Sequence, residues 1–150
     1  MLKLNYLAAL IFSFFLVSCQ ASNTGQEQQQ NSEQSVETDQ DQITVSLEVD
    51  QWNAKMQEFP GVIIDVRTPG EFEQGYIEGA HLADVTSANF VESINALDIP
   101  KDNPVYVYCR SGSRSKKAMN ILESQGFTSI YELNSGIMGW QRAGKATVKP

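Results

Sequence analysis

Residues 105–115 combine a nucleophile, fixed positive charges and small residues at the end of an apolar run. The run ends in Cys109, and an apolar pattern at helical spacing begins near Ser113 or Ser115. In such a strand–loop–helix arrangement, the loop amides and the helix amino terminus face an anion placed over the sulfur. The same field stabilises a thiolate and lowers its pKa. We therefore predict that Cys109 is a catalytic nucleophile near neutral pH.

Two arginines and a glycine beside the cysteine support this interpretation. Arg110 and Arg114 add permanent positive charge, and Gly112 permits the backbone turn that directs the amides. The alternative is a buried, inert cysteine, which is the usual fate of a cysteine after an apolar strand. Arginine, serine and glycine are unsuited to core packing, so the neighbours of Cys109 favour the reactive thiolate. A local basic patch on a chain of net charge −7 suits a small anionic substrate and argues against nucleic acid as a partner.

The elements that position this loop alternate between strand and helix along the chain. Short β-branched or apolar runs predict the strands, and apolar residues at helical spacing predict the helices between them. The fold class is therefore α/β with a mostly parallel sheet, which places the Cys109 loop at a carboxyl end, where such sheets bind ligands. Ser46 is predicted to cap a first helix over residues 47–58. Strands are predicted at 43–45, at 62–64, after the turn at 75–82, at 105–108 and at 130–133.

Residues 65–72 are the second informative stretch. Thr68 is predicted to cap a short helix that begins at the following proline. Asp65, Arg67 and Glu71 are close enough in sequence to form a charge pair or network. One hypothesis places Asp65 and Arg67 beside the reactive loop, and the other has them brace only the turn between strand and helix.

The amino terminus indicates a targeting segment. Lys3 precedes an apolar stretch, residues 6–17, that is short for a membrane-spanning helix. The stretch ends in Leu16 and Val17, and Ser18 and Cys19 follow, an order that resembles a bacterial lipobox, so residues 1–18 are predicted to be a lipoprotein signal peptide. The alternative is an ordinary secretory signal with a chance cysteine. Gln20 stands where an aspartate would retain a lipoprotein at the inner membrane, which favours outer-membrane anchoring.

The segment after the signal has the composition of a spacer. Residues 19–42 are dominated by polar residues, with Val36 as the one large apolar side chain after the cysteine. Such a segment cannot bury a core, so we predict a lipidated amino terminus and disordered tether, followed by a folded domain over residues 43–145. The predicted location is the bacterial cell envelope, facing the periplasm and attached to a membrane through lipid on Cys19.

The whole sequence contains one histidine and two cysteines. His81 lies in a glycine-punctuated turn, where a structural role is more common than that of a general base. If Cys19 carries lipid, Cys109 is the only free thiol and no intramolecular disulfide is possible. An unpaired thiol is unusual in an exported protein, which supports a chemical role for Cys109.

Three blocks within residues 43–143 resemble the rhodanese homology domain in its single-domain form. Each block alone is a weak signal, but together and in this order they are specific. The resemblance implies a three-layer α/β domain with a central five-stranded sheet flanked by helices. The blocks are Asp65-Val66-Arg67 with Glu71-Phe72 and Gly75-Tyr76-Ile77-Glu78-Gly79-Ala80, then Cys109-Arg110-Ser111-Gly112-Ser113-Arg114-Ser115, and finally Leu133-Asn134-Ser135-Gly136-Ile137-Met138-Gly139-Trp140.

The resemblance implies sulfurtransferase chemistry through a persulfide on Cys109. The thiolate attacks the outer sulfur of thiosulfate or of a persulfide donor, and a thiol or cyanide acceptor then removes that sulfur. Loop amides stabilise the thiolate and the persulfide, the arginines attract the donor, and the serines either bind it or cap the helix. No metal or organic cofactor is implied, and the catalytic domain is expected to be monomeric. The implied donor-binding residues are Arg110, Ser111, Gly112, Ser113 and Arg114, with Asp65, Arg67 and Ser115 in support.

Several residues depart from the family pattern, and their positions narrow the range of expected activities. Tyr76 stands where histidine is usual and Ser135 where glycine is common, and both positions are structural in the family. Glu71 lies near a point where two-domain thiosulfate-cleaving members place a basic residue, which argues against thiosulfate as the physiological donor. Phosphatases and arsenate reductases of related fold have one more residue between cysteine and arginine, so the shorter loop here argues against phosphatase activity. The remaining alternative is an envelope sulfur carrier, redox relay or protein-binding module with little turnover of its own.

Overall fold

The computed structural model of the protein describes residues 42–150. The predicted signal peptide (1–18), the lipidation site Cys19 and all but the last residue of the predicted tether (19–42) lie outside the described residues. Within residues 42–150, no helix is both long enough and apolar enough to cross a membrane.

Strands and helices alternate through the described part of the chain, as the hydrophobic pattern predicts. The strands are β1 (Ile43–Leu47), β2 (Val62–Asp65), β3 (Ala80–Leu82), β4 (Val105–Tyr108) and β5 (Ser129–Leu133). The helices are α1 (Val49–Glu58), α2 (Pro69–Phe72), α3 (Phe90–Asn95), α4 (Ser113–Ser124) and α5 (Gly136–Arg142).

The five strands form one sheet in the order β1-β5-β4-β2-β3, and every pairing between them is parallel. Strand β4 is central, with Val105 paired to Val62 of β2 on one side and to Ile130 of β5 on the other. All four residues of β4 are buried, as expected for an apolar run covered on both faces. The predicted fold class, an α/β domain with a mostly parallel sheet, is therefore confirmed, and the carboxyl ends of all strands lie at one edge.

Helices cover both faces of the sheet and complete a three-layer domain. Alternate residues of β4 point to opposite faces, so Val105 and Val107 belong to one apolar cluster, and Tyr106 and Tyr108 to the other. The first cluster is closed by α3 and α4, and the second by α1 and α5. Their principal buried residues are Phe90, Ile94, Ala118 and Leu122 in the first layer, and Trp52, Ile137 and Trp140 in the second.

The predicted start of the first helix is wrong. Ser46 is not a cap, because β1 continues through Leu47, which pairs with Leu133 of β5. Glu48 caps α1 instead, and its backbone N–H donates to the Gln51 side chain at 3.3 Å. Pairing with β5 therefore determines the boundary, which the local preference of a serine for cap positions does not reveal.

The chain after α5 turns back onto the domain. The indole N–H of Trp140 donates to the carbonyl of Ala146 at 2.8 Å. The backbones of Tyr76 and Val148 exchange two hydrogen bonds of 2.9 Å in an isolated antiparallel bridge. The carboxyl-terminal partners in these contacts, Ala146 and Val148, lie beyond residue 145, the predicted end of the domain.

We expect Trp52→Ala to destabilise the domain by about 3–5 kcal/mol. Trp52 is fully buried, packs edge-on against Tyr106 and Trp140, and donates its indole N–H to the Tyr131 carbonyl at 3.0 Å. Urea denaturation measures the loss. Phe59→Ala is the matched control, because that ring is 46% exposed and its change should cost less than about 1 kcal/mol. Equal losses for the two variants would contradict the proposed core.

Candidate active site

The reactive loop lies at the edge of the sheet where the parallel strands end. Asp65 is the last residue of β2, Cys109 directly follows the central strand β4, and Asn134 directly follows β5. This edge is the usual ligand-binding position in parallel α/β sheets. The topology therefore brings together three stretches that are far apart in the sequence.

The sulfur of Cys109 sits inside a tight turn of backbone. The Gly112 N–H donates to Cys109 Sγ at 3.2 Å, and the Ser115 hydroxyl lies 3.5 Å from the same atom. Gly112 has a φ of +99°, and a side chain there would collide with the Asn134 carbonyl. Only glycine allows this turn and its close approach to the neighbouring strand end.

Hydrogen bonds make the Cys109 thiol more acidic than an ordinary thiol. Burial raises its pKa, since Cys109 is only 1% exposed. Hydrogen bonds from the Ser115 hydroxyl and from the amides of Ser115, Ser111 and Gly112 outweigh burial and bring the net pKa below the ordinary value. Amides and a hydroxyl therefore favour the thiolate, and within residues 42–150 no basic side chain donates a hydrogen bond to the sulfur.

The start of α5 holds the loop from the opposite side. The Ile137 N–H donates to the Cys109 carbonyl at 2.9 Å, and the Met138 N–H donates to the Arg110 carbonyl at 3.1 Å. Gly136, with a φ of +57°, packs so closely on these carbonyls that a side chain would collide with them. The carboxyl-terminal glycine–tryptophan block thus has a direct role, because its amides satisfy the carbonyls of Cys109 and Arg110.

Arg114 and Glu71 join α4 to α2 across the site. The guanidinium donates two hydrogen bonds to the carboxylate, Nη1 to Oε2 at 2.7 Å and Nη2 to Oε1 at 2.6 Å. Thr68 adds two more donors, its N–H at 3.1 Å and its hydroxyl at 3.0 Å from Oε2. Arg114 above all, and these bonds from Thr68, hold the pKa of Glu71 down at about 2. Arg114, predicted from the sequence to bind the donor, is therefore engaged by a carboxylate.

Asp65 and Arg67 form a second, buried ion pair. Arg67 Nε lies 2.9 Å from both carboxylate oxygens of Asp65, and Arg67 Nη2 lies 2.6 Å from Oδ2. The same Nη2 also donates to the Gly75 carbonyl at 2.8 Å. Asp65 has no exposed surface, whereas Arg67 reaches the wall of a cleft. The pair thus braces the turn through the Gly75 carbonyl, and Arg67 also faces the cleft.

The cleft beside the loop has a volume of about 480 Å³, which is in the range of small-molecule sites. Arg110 is exposed in its wall and makes no salt bridge with any described residue. Cys109 does not itself line the cleft, although Arg110 and Ile137 beside it do. The lining residues are Arg67, Glu71, Gln74, Gly75, Arg110, Ile137, Met138 and Gln141.

Other residues singled out from the sequence lie around this arrangement. Ser111 and Ser113 are exposed, whereas Ser115 is fully buried beneath the sulfur. His81 is exposed on β3, the edge strand, and does not line the cleft. Glu132, which none of the sequence motifs includes, is fully buried and accepts a hydrogen bond of 2.5 Å from Ser115. A glutamate inside an otherwise apolar strand is the signal that would have identified it.

A cysteine that accepts hydrogen bonds from a tight loop at the end of a central parallel strand is the feature that defines the class to which this protein belongs. The profile of the rhodanese-like domain family matches residues 49–143, and the chain belongs to that family. A protein named sulfurtransferase from Allochromatium vinosum is 38% identical over 89 residues, which cover 59% of this chain and 79% of the relative.

Solved structures share the fold. A rhodanese-like domain protein from Staphylococcus aureus is 28% identical, with a TM-score of 0.59 and coverage of 70% of this chain and 97% of that one. A rhodanese-related protein from Thermoplasma volcanium is 23% identical, with a TM-score of 0.60 and coverage of 70% and 98%, respectively. The five-stranded parallel sheet and its flanking helices are therefore those of the rhodanese-like fold.

We expect Glu71→Gln to destabilise the protein at neutral pH but not in strong acid. Because the pKa of folded Glu71 lies near 2 and its ordinary value is 4.5, ionisation of this carboxyl stabilises the fold above about pH 4.5. That stabilisation is lost as the pH falls through 2. The expected deficit at pH 7 is on the order of 2 kcal/mol, because partial exposure weakens the pair.

Thermal unfolding at pH 7 and at successively lower pH measures this difference. Glu73→Gln is the matched control, because that carboxylate is exposed in the same segment and makes no salt bridge with a described residue. A deficit for Glu71→Gln that is unchanged between pH 7 and pH 2 would show that packing, not charge, is responsible.

Proposed function

We propose that the protein is a sulfurtransferase that moves sulfane sulfur from an anionic donor to a thiol or cyanide acceptor through a persulfide on Cys109. The observation that carries the proposal is the set of hydrogen-bond donors around Cys109 Sγ, with the Gly112 N–H at 3.2 Å and the Ser115 hydroxyl at 3.5 Å. The relative from Allochromatium vinosum that is named a sulfurtransferase supports the same activity.

In the first half-reaction the Cys109 thiolate attacks the outer sulfur of the donor. A bond forms between Cys109 Sγ and that sulfur, and the bond to the rest of the donor breaks. The leaving group takes the electron pair and departs as sulfite from thiosulfate or as a thiolate from an organic persulfide. The outer sulfur of the new Cys109 persulfide is then the anion, and the amides of residues 110–114 are the donors available to stabilise it.

In the second half-reaction the acceptor attacks the outer sulfur of the persulfide. A thiolate acceptor becomes a persulfide and cyanide becomes thiocyanate, while Cys109 Sγ leaves with its electron pair as the original thiolate. The enzyme neither gains nor loses electrons over the full cycle. A donor and an acceptor therefore suffice, and the two steps follow ping-pong kinetics.

The charges of the cleft favour an anionic donor. Arg110 is exposed there without a carboxylate partner among the described residues, whereas Arg67 and Arg114 are neutralised by Asp65 and Glu71. Since Cys109 is 1% exposed, a donor must present its reacting sulfur as a protruding terminal atom. Both thiosulfate and an organic persulfide meet this requirement, and we propose the persulfide as the physiological donor.

The near-complete burial of Cys109 also favours a second candidate function. A sulfur carrier that loads and unloads on a protein partner needs little independent turnover, and a recessed thiol limits exchange with free small molecules. Steady-state rates separate the two functions. An enzyme turns over with thiosulfate or a persulfide and cyanide alone, whereas a carrier becomes loaded with sulfur and then stalls.

We also propose that the domain works in the bacterial cell envelope, attached through lipid on Cys19. The support is the order of the predicted signal, an apolar stretch at residues 6–17 that ends in leucine and valine and is followed by serine and cysteine. A polar segment follows that cysteine and would hold the domain away from the bilayer surface. An outer membrane is the favoured site where the cell has one.

Cys109→Ser is expected to abolish sulfur transfer. The purified protein is incubated with thiosulfate or with an organic persulfide, then with cyanide, and its intact mass is measured after each step. The Cys19→Ser variant, in which Cys109 is the one remaining cysteine, should gain the mass of one sulfur atom and lose it to cyanide. Cys109→Ser in the same Cys19→Ser background should gain none. A folded Cys19→Ser protein that gains no sulfur from either donor would contradict the proposed function.

Cys19→Ser is expected to release the protein from membranes. Replacement removes the thiol that would carry the lipid, so the processed or unprocessed chain loses its acyl anchor. Membrane fractionation of cells that express either form measures the effect, and Cys109→Ser serves as the control that should remain with the membranes. Unchanged membrane fractionation of Cys19→Ser would contradict lipid attachment.

A further inference from the structure

Glu132 is a buried carboxyl group that the sulfur-transfer steps do not use. It lies inside β5, has no exposed surface, and its Oε1 lies 2.5 Å from the Ser115 hydroxyl oxygen. Its second oxygen, Oε2, is buried and has no hydrogen-bond partner among the described residues. A single hydroxyl is little compensation for a buried carboxylate, because an isolated charge in the protein interior costs far more than a hydrogen-bonded neutral group.

The Ser115 hydroxyl has one hydrogen and three acceptors within reach. They are Glu132 Oε1 at 2.5 Å, the Gly112 carbonyl at 3.0 Å and Cys109 Sγ at 3.5 Å. The Gly112 carbonyl also accepts the Lys116 N–H at 3.1 Å and does not depend on the hydroxyl. The hydrogen of Ser115 therefore serves either the sulfur or the carboxyl group, and the oxygen of Ser115 is free to accept from the other.

The cations of α4 offer little compensation for two negative charges at this position. Arg114 acts electrostatically on Cys109, but the same guanidinium is already paired with Glu71, and Lys116 and Lys117 are exposed. Beside Glu132 in the sheet lie Val107 of β4 and, on β1, Ser46, neither of which is ionisable.

A thiolate on Cys109 and a carboxylate on Glu132 would be two anions that both contact the Ser115 hydroxyl. Low-dielectric surroundings make such a pair of like charges costly. The arrangement thus accommodates one negative charge far better than two.

We propose that Cys109 and Glu132 share one proton, which Ser115 relays between them. When the thiolate forms, the S–H bond of Cys109 breaks and its proton passes to Ser115 Oγ, while the hydroxyl proton of Ser115 passes to Glu132 Oε1. Ser115 then donates to the thiolate and accepts from the carboxylic acid. No proton enters or leaves the protein, and the buried site keeps one negative charge throughout.

This relay deepens the proposed function and rests on it, since it concerns how the Cys109 nucleophile is made. Formation of the persulfide moves the anion outward to the terminal sulfur, so Glu132 retains its proton until the acceptor restores the thiolate. Glu132 touches neither donor nor acceptor. It is a positioning residue that acts on the sulfur through Ser115.

The test is the pH dependence of Cys109 alkylation by the neutral reagent iodoacetamide, in a Cys19→Ser background. Two groups that share a proton are coupled and lose their protons in two macroscopic steps. We expect the alkylation rate to rise in two steps when Glu132 is present and in one step for Glu132→Gln. The glutamine amide can donate to Ser115 but has no titratable proton. The hydroxyl hydrogen of Ser115 therefore stays available to the sulfur.

Two further variants complete the experiment. Glu123→Gln changes an exposed carboxylate of α4, the helix that carries Ser115; it is the matched control and should keep the two-step profile. Ser115→Ala removes the relay and one donor to the sulfur, so the alkylation rate at neutral pH should fall by about tenfold, the effect of one pKa unit.

Infrared spectroscopy supplies a readout that does not depend on the variants folding. At neutral pH the protein should show a carboxylic-acid C=O band that changes frequency when Cys109 is alkylated. Absence of that band, or identical alkylation profiles for folded Glu132→Gln and its parent, would overturn the relay. If the parent still forms a cyanide-sensitive persulfide, sulfur transfer itself survives that result, whereas loss of the persulfide would remove both.

Discussion

A negative charge on a sulfur atom that water barely reaches is the constraint on which the rest of this structure depends. Cys109 is 1% exposed, so the charge must be stabilised by protein groups. The available groups are amides of one tight turn and a hydroxyl from the first turn of α4. Backbone amides supply this stabilisation only when the turn keeps its shape. This requirement explains why several separate elements of the domain contact the loop.

Three contacts from separate parts of the chain maintain that shape. The amino terminus of α5 binds the carbonyls of Cys109 and Arg110, the Arg114–Glu71 pair ties α4 to α2, and Asn134 after β5 packs against Gly112. The amides of α5 also satisfy two loop carbonyls that burial would otherwise leave unpaired. Few unpaired charges face the cleft. Of the two arginines in its wall, Arg67 is paired with Asp65, and the exposed Arg110 pairs with no described carboxylate.

Local patterns were sufficient to predict most of the fold and the position of the loop. The apolar run before Cys109 is the central strand β4, and the helical spacing after Ser113 is helix α4. Alternation of strands and helices predicted a parallel sheet because parallel strands need crossover connections. The cap at Ser46 failed because a long-range pairing, Leu47 with Leu133, extends β1 past it.

The details of the site were harder to predict because they depend on long-range contacts. Arg114 and Glu71 are 43 residues apart, and the sequence shows two charges without showing that they neutralise each other. Arg114 therefore looked like a free cation for the donor. Glu132 was overlooked for a related reason, since only the packing of β5 against α4 reveals that its side chain meets Ser115 beneath the sulfur.

The most direct test of this account is a measurement of the ionisation of Cys109 itself. Thiolate absorbance in the ultraviolet, followed over pH as the difference between the parent protein and Cys109→Ser, reports the charge on the sulfur alone. The account predicts that most of the thiolate has formed below the pKa of about 8.5 that a free cysteine shows. A thiol that ionises only at or above that value would contradict stabilisation by the loop, and with it the claim that Cys109 is an activated nucleophile.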